Sequence, residues 1–304
     1  MNFDFSEDQK FLRDEARKFL DAECTTQHVR EVLNDDAKSH HDGVWQKVKE
    51  MGWLGTAIPE EYGGLGLGSL ELCVLAEEMG RALAPVPFAS TVYFFAEGLM
   101  LAGSDAQKSA ILPKVASGEV IGCYAASEGP GHPDPAKLST SFDGGSVTGK
   151  KLPVTDGEVA THAIVLAKDG SGASLVLVDL NGPCVERTPA KTLEPTRSHA
   201  EITFNGAPAE RLGAAGEGGD LHDAIMTRAA VLLSFEQLGG ASRCLEMATD
   251  YAKERYAFGR PIGGNQAIKH KLADMYVKNE VARSKSYYGA WALSTDAVEL
   301  PEAA

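Results

Sequence analysis

Apolar residues in the first third of the chain have the spacing of amphipathic helices. Ser6 precedes two acidic residues and is a typical N-cap. The residues after it recur every three or four positions, as on one face of a helix: Phe11, Leu12, Ala16, Phe19 and Leu20. A proline- and glycine-rich stretch at 58–66 interrupts this pattern before it resumes. We therefore predict that residues 6–118 are mainly helical.

The pattern changes between residues 119 and 214, where short apolar runs replace the helical spacing. Strand-forming runs lie at 120–125, 146–150, 163–167, 174–178 and 201–204. Several strands at such short spacing predict a small antiparallel sheet domain or barrel.

Two long helical patterns occupy most of the remaining chain, at 223–253 and 266–294. The order of helical, then β, then helical regions predicts an α+β protein. We place its domains at 1–118 (α-helical), 119–214 (β-sheet) and 215–304 (α-helical). Long helices joined by a short turn suit an antiparallel bundle that also offers a surface for oligomerisation.

Charge and cysteine content narrow the possible functions. The formal net charge of −14 argues against nucleic-acid binding and against binding to an anionic membrane. The five cysteines are scattered, without a CxxC or Cys/His cluster, so neither a disulfide framework nor a metal site is predicted. Residues 1–5 do not resemble a signal peptide and no long apolar run is present, so we predict a cytoplasmic protein.

The connection between the two long helical patterns carries the most informative residues, Arg255, Phe258 and Gln266. An arginine can bind a diphosphate through two parallel hydrogen bonds, a phenylalanine can pack against a ring, and an amide can recognise a polar edge. Together these residue types suit a dinucleotide cofactor. The alternative is an ordinary helix–helix turn with an exposed arginine.

The longer segment 254–266 resembles the E-R-x-x-F-G-x-x-I-x-x-x-Q signature of the flavin-dependent acyl-CoA dehydrogenases. The sequence P-E-E-Y-G-G-L-G at 59–66, with the helix ending E-E-M-G-R at 77–81, resembles the N-terminal domain of the same family. The resemblance runs from Ser6 to about Leu293. It implies an N-terminal helical domain, a middle antiparallel β domain and a C-terminal helical bundle, here without the family's last C-terminal helices.

The resemblance also implies a chemistry. FAD would be the cofactor, an acyl-CoA thioester the substrate, and α,β-dehydrogenation the reaction, with electrons leaving through an electron-transfer flavoprotein. The protein would be a homo- or hetero-oligomer, as a dimer or tetramer. A second possibility stays open, in which the chain is a non-catalytic partner that completes the FAD site of another subunit, as in relatives acting on steroid or other bulky acyl groups. A third is that the chain is incomplete.

By this resemblance, Tyr124 and Ser127 match positions that touch the isoalloxazine ring and its pyrimidine edge, and Thr155 matches a hydroxyl near flavin N5. The residues of the turn, Arg255, Phe258 and Gln266, would contact the adenosine-diphosphate half of an FAD held mainly by a neighbouring subunit.

Two positions depart from the family pattern. His132, Pro133 and Asp134 stand where the family has Gly-Ser-Asp, and that serine helps to hold the polar end of the ligand. Pro153 stands where the family has a tryptophan that covers one flavin face. Loss of this ring removes stacking worth about 1 kcal/mol or more.

The sequence does not identify a catalytic base. The family's usual glutamate lies further along than residue 304, and some relatives use one on the first long helix of the last domain, where this chain has Thr227. The adjacent Arg228 matches an arginine beside that base and is predicted to contact the substrate. If the chain acts unaided, Glu128 and Glu236 are the next candidates for the base.

Overall fold

The computed structural model describes residues 5–304, which form two compact units. The first, the helical unit, contains residues 5–25, 69–84 and 230–304, and the second, the barrel unit, contains residues 26–68 and 85–229. Residues 1–4, part of the segment compared with a signal peptide, lie outside the described residues. The three domain boundaries drawn from the sequence remain predictions.

Helices occupy most of the predicted helical regions. In chain order they are α1 (Glu7–Glu23), α2 (Thr26–Leu33), α3 (Asp42–Glu50), α4 (Ser69–Ala82), α5 (Glu97–Ala102), α6 (Asp105–Ala116), α7 (Gly218–Glu254), α8 (Gln266–Ser294) and α9 (Leu300–Ala303). Ser6 caps α1 as predicted, in a capping box with Gln9. A π-helix at Ser90–Ala96, which the apolar spacing did not predict, leads directly into α5. None of the helices in the described part of the chain is long and apolar enough to cross a membrane.

Within the helical unit, α4 and α7 touch through their backbones. A Cβ on Gly80 would lie 2.0 Å from the carbonyl oxygen of Glu236, and one on Gly239 would lie 1.9 Å from that of Glu77. Only glycine fits at these two positions, because any side chain would overlap the backbone of the facing helix.

Ion pairs surround this contact. They join Arg17 to Glu78, Arg81 to Glu246 and Arg283 to Glu77, at 2.6, 2.6 and 2.9 Å. The arginines border a cavity of about 350 Å³. Pairing of this kind is what allows carboxylates to be buried between helices.

The barrel unit contains the five predicted strands and two further strands that the sequence analysis did not predict. They are β1 (Gly122–Ala125), β2 (Ser141–Phe142), β3 (Ser146–Thr155), β4 (His162–Asp169), β5 (Gly172–Asp179), β6 (Val185–Pro189) and β7 (His199–Leu212). The two further strands are β2 and β6. The pairings β4–β2–β3–β7–β5 close through a β5–β4 pairing, so the sheet forms a barrel. Most pairs are antiparallel, whereas β1 and β2 each run parallel to β4. The predicted α+β fold is confirmed.

Both faces of β4 are buried, and alternate residues enter different cores. Ile164 and Leu166 join a cluster with the π-helix, α5 and α6, whereas Val165 and Ala167 join the cluster formed by the strands of the barrel. A strand that is buried on both faces has apolar residues at consecutive positions, and this run is why the strand could be predicted from the sequence.

Candidate functional site

The two segments that the resemblance assigns to the flavin ring lie side by side in the barrel unit. The Leu152 amide donates to the Ser127 carbonyl at 2.9 Å, and Glu128 forms a parallel bridge with Leu152. Thr155 ends β3, three residues further on. The half-buried side chains of Ser127 and Thr155 are therefore carried by adjoining segments of backbone.

A buried ion pair fixes these segments together. The Lys151 side chain is fully buried, and its Nζ donates to the Ala126 carbonyl and to Glu128 Oε1, each at 2.9 Å. The Glu128 carboxylate also accepts hydrogen bonds from the Ser139 amide and hydroxyl and from the Thr140 amide, at 2.8, 2.5 and 2.9 Å. Glu128 therefore holds the loop at 128–140 against β3.

This pairing bears on Glu128 as a candidate base. Burial alone would raise the pKa of Glu128, but the hydrogen bonds from Ser139, Lys151 and the backbone outweigh it and hold that pKa well below its usual range. A carboxylate so firmly ionised and fully hydrogen-bonded is a weak proton acceptor. Sequence analysis did not predict this ion pair, because a lysine side chain on a strand is normally exposed.

Tyr124 lies in a column of stacked rings. Its hydroxyl is 2.8 Å from His222 Nδ1. The Tyr124 ring stacks on His222 with centroids 5.8 Å apart, and on Phe94 of the π-helix at 6.2 Å. Burial raises the pKa of Tyr124 well above its usual range, so the phenol stays protonated and can donate.

His222, near the start of α7, contacts the predicted site residue Tyr124, and the sequence analysis did not single it out. It is 1% exposed, and its Nε2 has no hydrogen-bond partner among residues 5–304. Burial lowers the pKa of His222, and this outweighs the nearby Asp223 carboxylate. No local pattern marks His222, since it belongs to no motif and its partner Tyr124 is far away along the chain.

The loop after β1 encloses a cavity of about 330 Å³. Its lining comes from ten residues of one stretch: Ala126, Glu128, Gly129, Pro130, Gly131, His132, Pro133, Asp134, Lys137 and Leu138. The His132 ring centroid lies 5.9 Å from that of His222. Within the part of the chain that the structure describes, no group of three or more histidine, cysteine or acidic residues could hold a metal ion.

Thr155 and Pro153 show how far this region fits FAD. Thr155 Oγ1 lies 3.3 Å from Nε2 of His199, the first residue of β7. Pro153 is exposed and supplies no ring at the tryptophan position. Hydroxyl groups such as those of Ser127 and Thr155 can form hydrogen bonds with the polar atoms of a flavin. These hydroxyl residues are therefore compatible with the polar atoms of FAD, but position 153 has no aromatic ring to cover a face of the flavin.

Arg228, predicted to contact the substrate, is ion-paired with Glu97. Glu97 is 7% exposed and begins α5, directly after the π-helix. Because this carboxylate neutralises it, Arg228 offers hydrogen bonds rather than free positive charge. Thr227, at the alternative base position, is half-buried and has no carboxylate.

The predicted dinucleotide-binding turn is a tight hairpin in the helical unit. Its strands are β8 (Tyr256–Ala257) and β9 (Arg260–Pro261), and Phe258 and Gly259 connect them with φ of 54° and 77°. Positive φ at both connecting residues is the type I′ pattern. Phe258 is fully exposed and adopts a backbone conformation that costs a phenylalanine roughly 1–2 kcal/mol.

Arg255 and Gln266 flank this hairpin, and both are exposed. Among the described residues, neither side chain has a hydrogen-bond partner. Next to the hairpin is a cavity of about 470 Å³. Its lining is mostly apolar and includes Pro261, Gly263, Leu272 and Lys269. The hairpin therefore presents a guanidinium, an aromatic ring and an amide to solvent on one connection between helices.

Comparison with known proteins identifies the family. Residues 6–119 match the acyl-CoA dehydrogenase N-terminal domain, and residues 216–304 match the acyl-CoA dehydrogenase C-terminal domain. The acyl-CoA dehydrogenase FadE27 of Mycobacterium tuberculosis is 31% identical, over 98% of this chain and 79% of its own length.

Two solved structures of subunit complexes are similar over nearly the whole chain. One is the ChsE4–ChsE5 complex of Mycobacterium tuberculosis, with 30% identity and a TM-score of 0.89 over 100% of this chain and 82% of that one. The other is a variant of the Tcur3481–Tcur3483 steroid ACAD, with 31% identity and a TM-score of 0.87 over 98% of this chain and 80% of that one. The chain therefore belongs to the acyl-CoA dehydrogenases, a family of FAD-dependent oxidoreductases that act on CH–CH bonds.

Proposed function

We propose that this chain binds FAD and takes part in the α,β-dehydrogenation of an acyl-CoA thioester. The observation that carries the proposal is the hydrogen bond between the Ser127 carbonyl and the Leu152 amide. It joins the two segments that the family resemblance assigns to the flavin ring, although they are distant in sequence. The Lys151–Glu128 pair then holds this junction in place.

The hydroxyls of Tyr124, Ser127 and Thr155 are the proposed contacts to the flavin ring. Bound FAD supplies the hydride acceptor for the reaction. Tyr124 donates from a protonated phenol, and Thr155 is oriented by His199. Fixed hydroxyl groups of this kind orient a flavin and set the polarity around its ring.

Arg255, Phe258 and Gln266 are the proposed contacts to the adenosine-diphosphate half of an FAD held mainly by a neighbouring subunit. Their exposure and their lack of partners within the described chain support this role. It requires an oligomer, either of identical chains or of this chain with a related one. The relatives solved as two-subunit complexes make the second arrangement reasonable.

Arg228 is the proposed contact to the substrate. Since Glu97 neutralises its charge, we expect it to bind an uncharged oxygen rather than an acidic group. In the catalytic case, electrons pass from the reduced flavin to an electron-transfer flavoprotein.

A second candidate function is that of a non-catalytic subunit. Two observations favour it. Thr227 cannot remove a proton at neutral pH, and Glu128 is held ionised by its hydrogen bonds and by Lys151. Removing a general base typically costs roughly 10²–10⁴-fold in rate. We therefore expect this chain alone to show no dehydrogenase activity.

Steady-state reduction of an artificial electron acceptor distinguishes the two functions. Acyl-CoAs from short-chain to steroid-sized are tested with this chain alone and with this chain mixed with a related subunit, and FAD content is read from the visible spectrum. Activity only in the mixture supports the partner role. Activity of the chain alone makes it the catalyst, and Glu236 and Glu128 are then the first residues to replace. Lack of FAD in both preparations contradicts the proposal.

A further inference from the structure

The contact between Thr155 and His199 joins the end of β3 to the start of β7. The two residues are paired across the sheet, and Thr155 Oγ1 lies 3.3 Å from His199 Nε2. A hydroxyl group and a ring nitrogen can each be the donor or the acceptor, so the distance leaves the position of the proton open. The other ring nitrogen of His199, Nδ1, determines it.

The surroundings of Nδ1 require this nitrogen to be a donor. It lies 3.1 Å from the Arg197 carbonyl oxygen, which can only accept. It also lies 3.4 Å from Thr192 Oγ1, and that hydroxyl donates its own proton to the Glu194 carbonyl at 2.9 Å. Two acceptors therefore face Nδ1. In the neutral ring the proton is on Nδ1, which leaves Nε2 as an acceptor.

The Thr155 hydroxyl therefore donates to His199. A hydroxyl group has one proton and two lone pairs, so once the proton is directed to Nε2 only lone pairs are left for another partner. Thr155 Oγ1 can then accept a further hydrogen bond but cannot donate one. This polarity comes from His199 and not from the threonine itself.

The backbone around the pair is held by further hydrogen bonds. Asp156, which follows Thr155, has a φ of 55°, and its amide donates to the Ser198 carbonyl at 2.7 Å. The buried Asp156 carboxylate accepts a hydrogen bond from the Ser90 hydroxyl of the π-helix at 2.6 Å. The turn after β3 is thus anchored both to the residue before His199 and to the π-helix, which fixes the position of Thr155.

We propose that His199 makes Thr155 a hydrogen-bond acceptor toward N5 of the flavin ring and so favours reduced over oxidised FAD. This inference rests on the proposed function, since it presumes that Thr155 lies at N5. That nitrogen is an acceptor in oxidised flavin, whereas in reduced flavin it carries a proton and is a donor. A Thr155 hydroxyl turned toward His199 pairs only with the reduced ring. The pair therefore raises the midpoint potential of bound FAD, which favours the transfer of electrons from the substrate.

The first measurement concerns the histidine ring and requires no turnover. Long-range proton–nitrogen NMR distinguishes the two neutral tautomers of histidine, and it is recorded at about pH 8.5, where imidazole rings are ordinarily neutral. The His199 signals are assigned by their absence from the spectrum of His199→Gln. We expect the tautomer protonated on Nδ1, with and without FAD. The tautomer protonated on Nε2 would overturn the inference even if no variant folds.

The second measurement is the midpoint potential of bound FAD, from a spectroscopic titration with a reductant. Asparagine at position 199 can place its amide near the position of Nδ1 but has no atom near that of Nε2, so the Thr155 hydroxyl becomes free to donate. We expect His199→Asn to reduce the preference for reduced FAD by roughly 5-fold, the effect of one hydrogen bond. At about 30 mV per tenfold for a two-electron couple, the midpoint potential falls by about 20 mV. His199→Gln, whose oxygen reaches the position of Nε2, should recover most of this loss.

Two controls separate this role from a structural one. His162 is half-buried and forms another histidine–threonine contact in the barrel unit, with Nδ1 3.1 Å from Thr161 Oγ1. His162→Asn should leave the potential of FAD unchanged. In a Thr155→Val background, His199→Asn should have no further effect on the potential, because the hydroxyl through which it acts is gone. The melting temperature of each variant is recorded, since a purely structural role would change it without changing the potential.

Three results would overturn the proposal in distinguishable ways. If FAD-loaded His199→Asn has the wild-type potential, the inference is wrong and the proposed function stands. If the potential falls equally in the Thr155→Val background, His199 acts without Thr155 and the inference is again wrong. If the wild type holds no FAD, the proposed function fails and this inference fails with it.

Discussion

The Nζ of Lys151 lies 2.9 Å from Oε1 of Glu128, with the lysine side chain fully buried and the glutamate 19% exposed. Removing one partner of a buried ion pair leaves the other charge uncompensated. We therefore expect Lys151→Met to lower the free energy of unfolding by about 2–4 kcal/mol. Urea denaturation measures this loss, and FAD retention should fall with it.

The neighbouring lysine gives a matched control. Lys150 is exposed and pairs with Glu201 at the surface, so Lys150→Met should change the free energy of unfolding by less than about 0.5 kcal/mol. Adding Glu128→Gln to Lys151→Met should restore part of the lost stability. Equal stability of the two single lysine variants would contradict the buried pair.

The Glu128 carboxylate should also make the free energy of unfolding depend on pH in the acidic range. The pKa of Glu128 is depressed in the folded protein, so its contribution to stability is complete above the unfolded value of about 4.3 and is lost as the pH falls below it. Glu128→Gln should therefore flatten the decline of the free energy of unfolding below about pH 4. Chemical denaturation from pH 7 to pH 3 measures this, and parallel curves for variant and wild type would refute it.

Arg255→Lys should reduce FAD retention. Lysine keeps the positive charge but cannot make two parallel hydrogen bonds to a phosphate. Flavin content after dialysis at low cofactor concentration gives the measure, with Arg243→Lys, on an exposed part of α7, as the control. Full FAD occupancy in Arg255→Lys would show that this residue does not hold the diphosphate.

Phe258 allows its backbone and its ring to be tested separately. Phe258→Gly relieves the positive φ of 54°, whereas Phe258→Ala keeps that conformation and removes only the ring. The glycine variant should be more stable than the alanine variant by about 1 kcal/mol, because glycine adopts the left-handed region freely. Both should lose FAD retention to the same extent. Unchanged retention in both variants would remove the ring from the cofactor site.

Thr155→Val should change the absorption spectrum and the reduction rate of bound FAD. Valine has nearly the same shape as threonine but no hydroxyl, so the absorption bands of bound FAD should shift and its reduction should slow. Thr148→Val, on an exposed part of the same strand, should leave both unchanged. A Thr155→Val protein with the wild-type spectrum and reduction rate would contradict the placement of this hydroxyl.

Strand β4 was predictable because both of its faces are buried, which requires apolar residues at consecutive positions. Residues 163–167 are apolar on both faces of the sheet, and such a run has few other interpretations. The first helix was predictable for a different reason, because its capping box involves only residues three positions apart. Interactions between residues close in the chain, and strands buried on both faces, are therefore the features that can be predicted from this sequence.

The site was only partly predictable, because its key contacts join distant residues. The motif resemblance selected Ser127 and Thr155, and the structure places their segments together. Their roles at a flavin remain predictions. His222 meets Tyr124 across 98 positions of the chain, and Lys151 meets Glu128 across 23. No local pattern marks either pair, since both depend on how β1, β3 and α7 come together.

The glycine contact between α4 and α7 has a consequence for the charged residues around it. Gly80 is flanked on its helix by Glu77 and Arg81, and each of these side chains pairs with a residue of another helix. A methyl group at position 80 would overlap the Glu236 carbonyl and push α4 away from α7. Because the neighbouring ion pairs join these helices to each other and to α8, this displacement would lengthen them at the same time. Gly80 and Gly239 thus set the spacing of α4 and α7 on which these ion pairs depend.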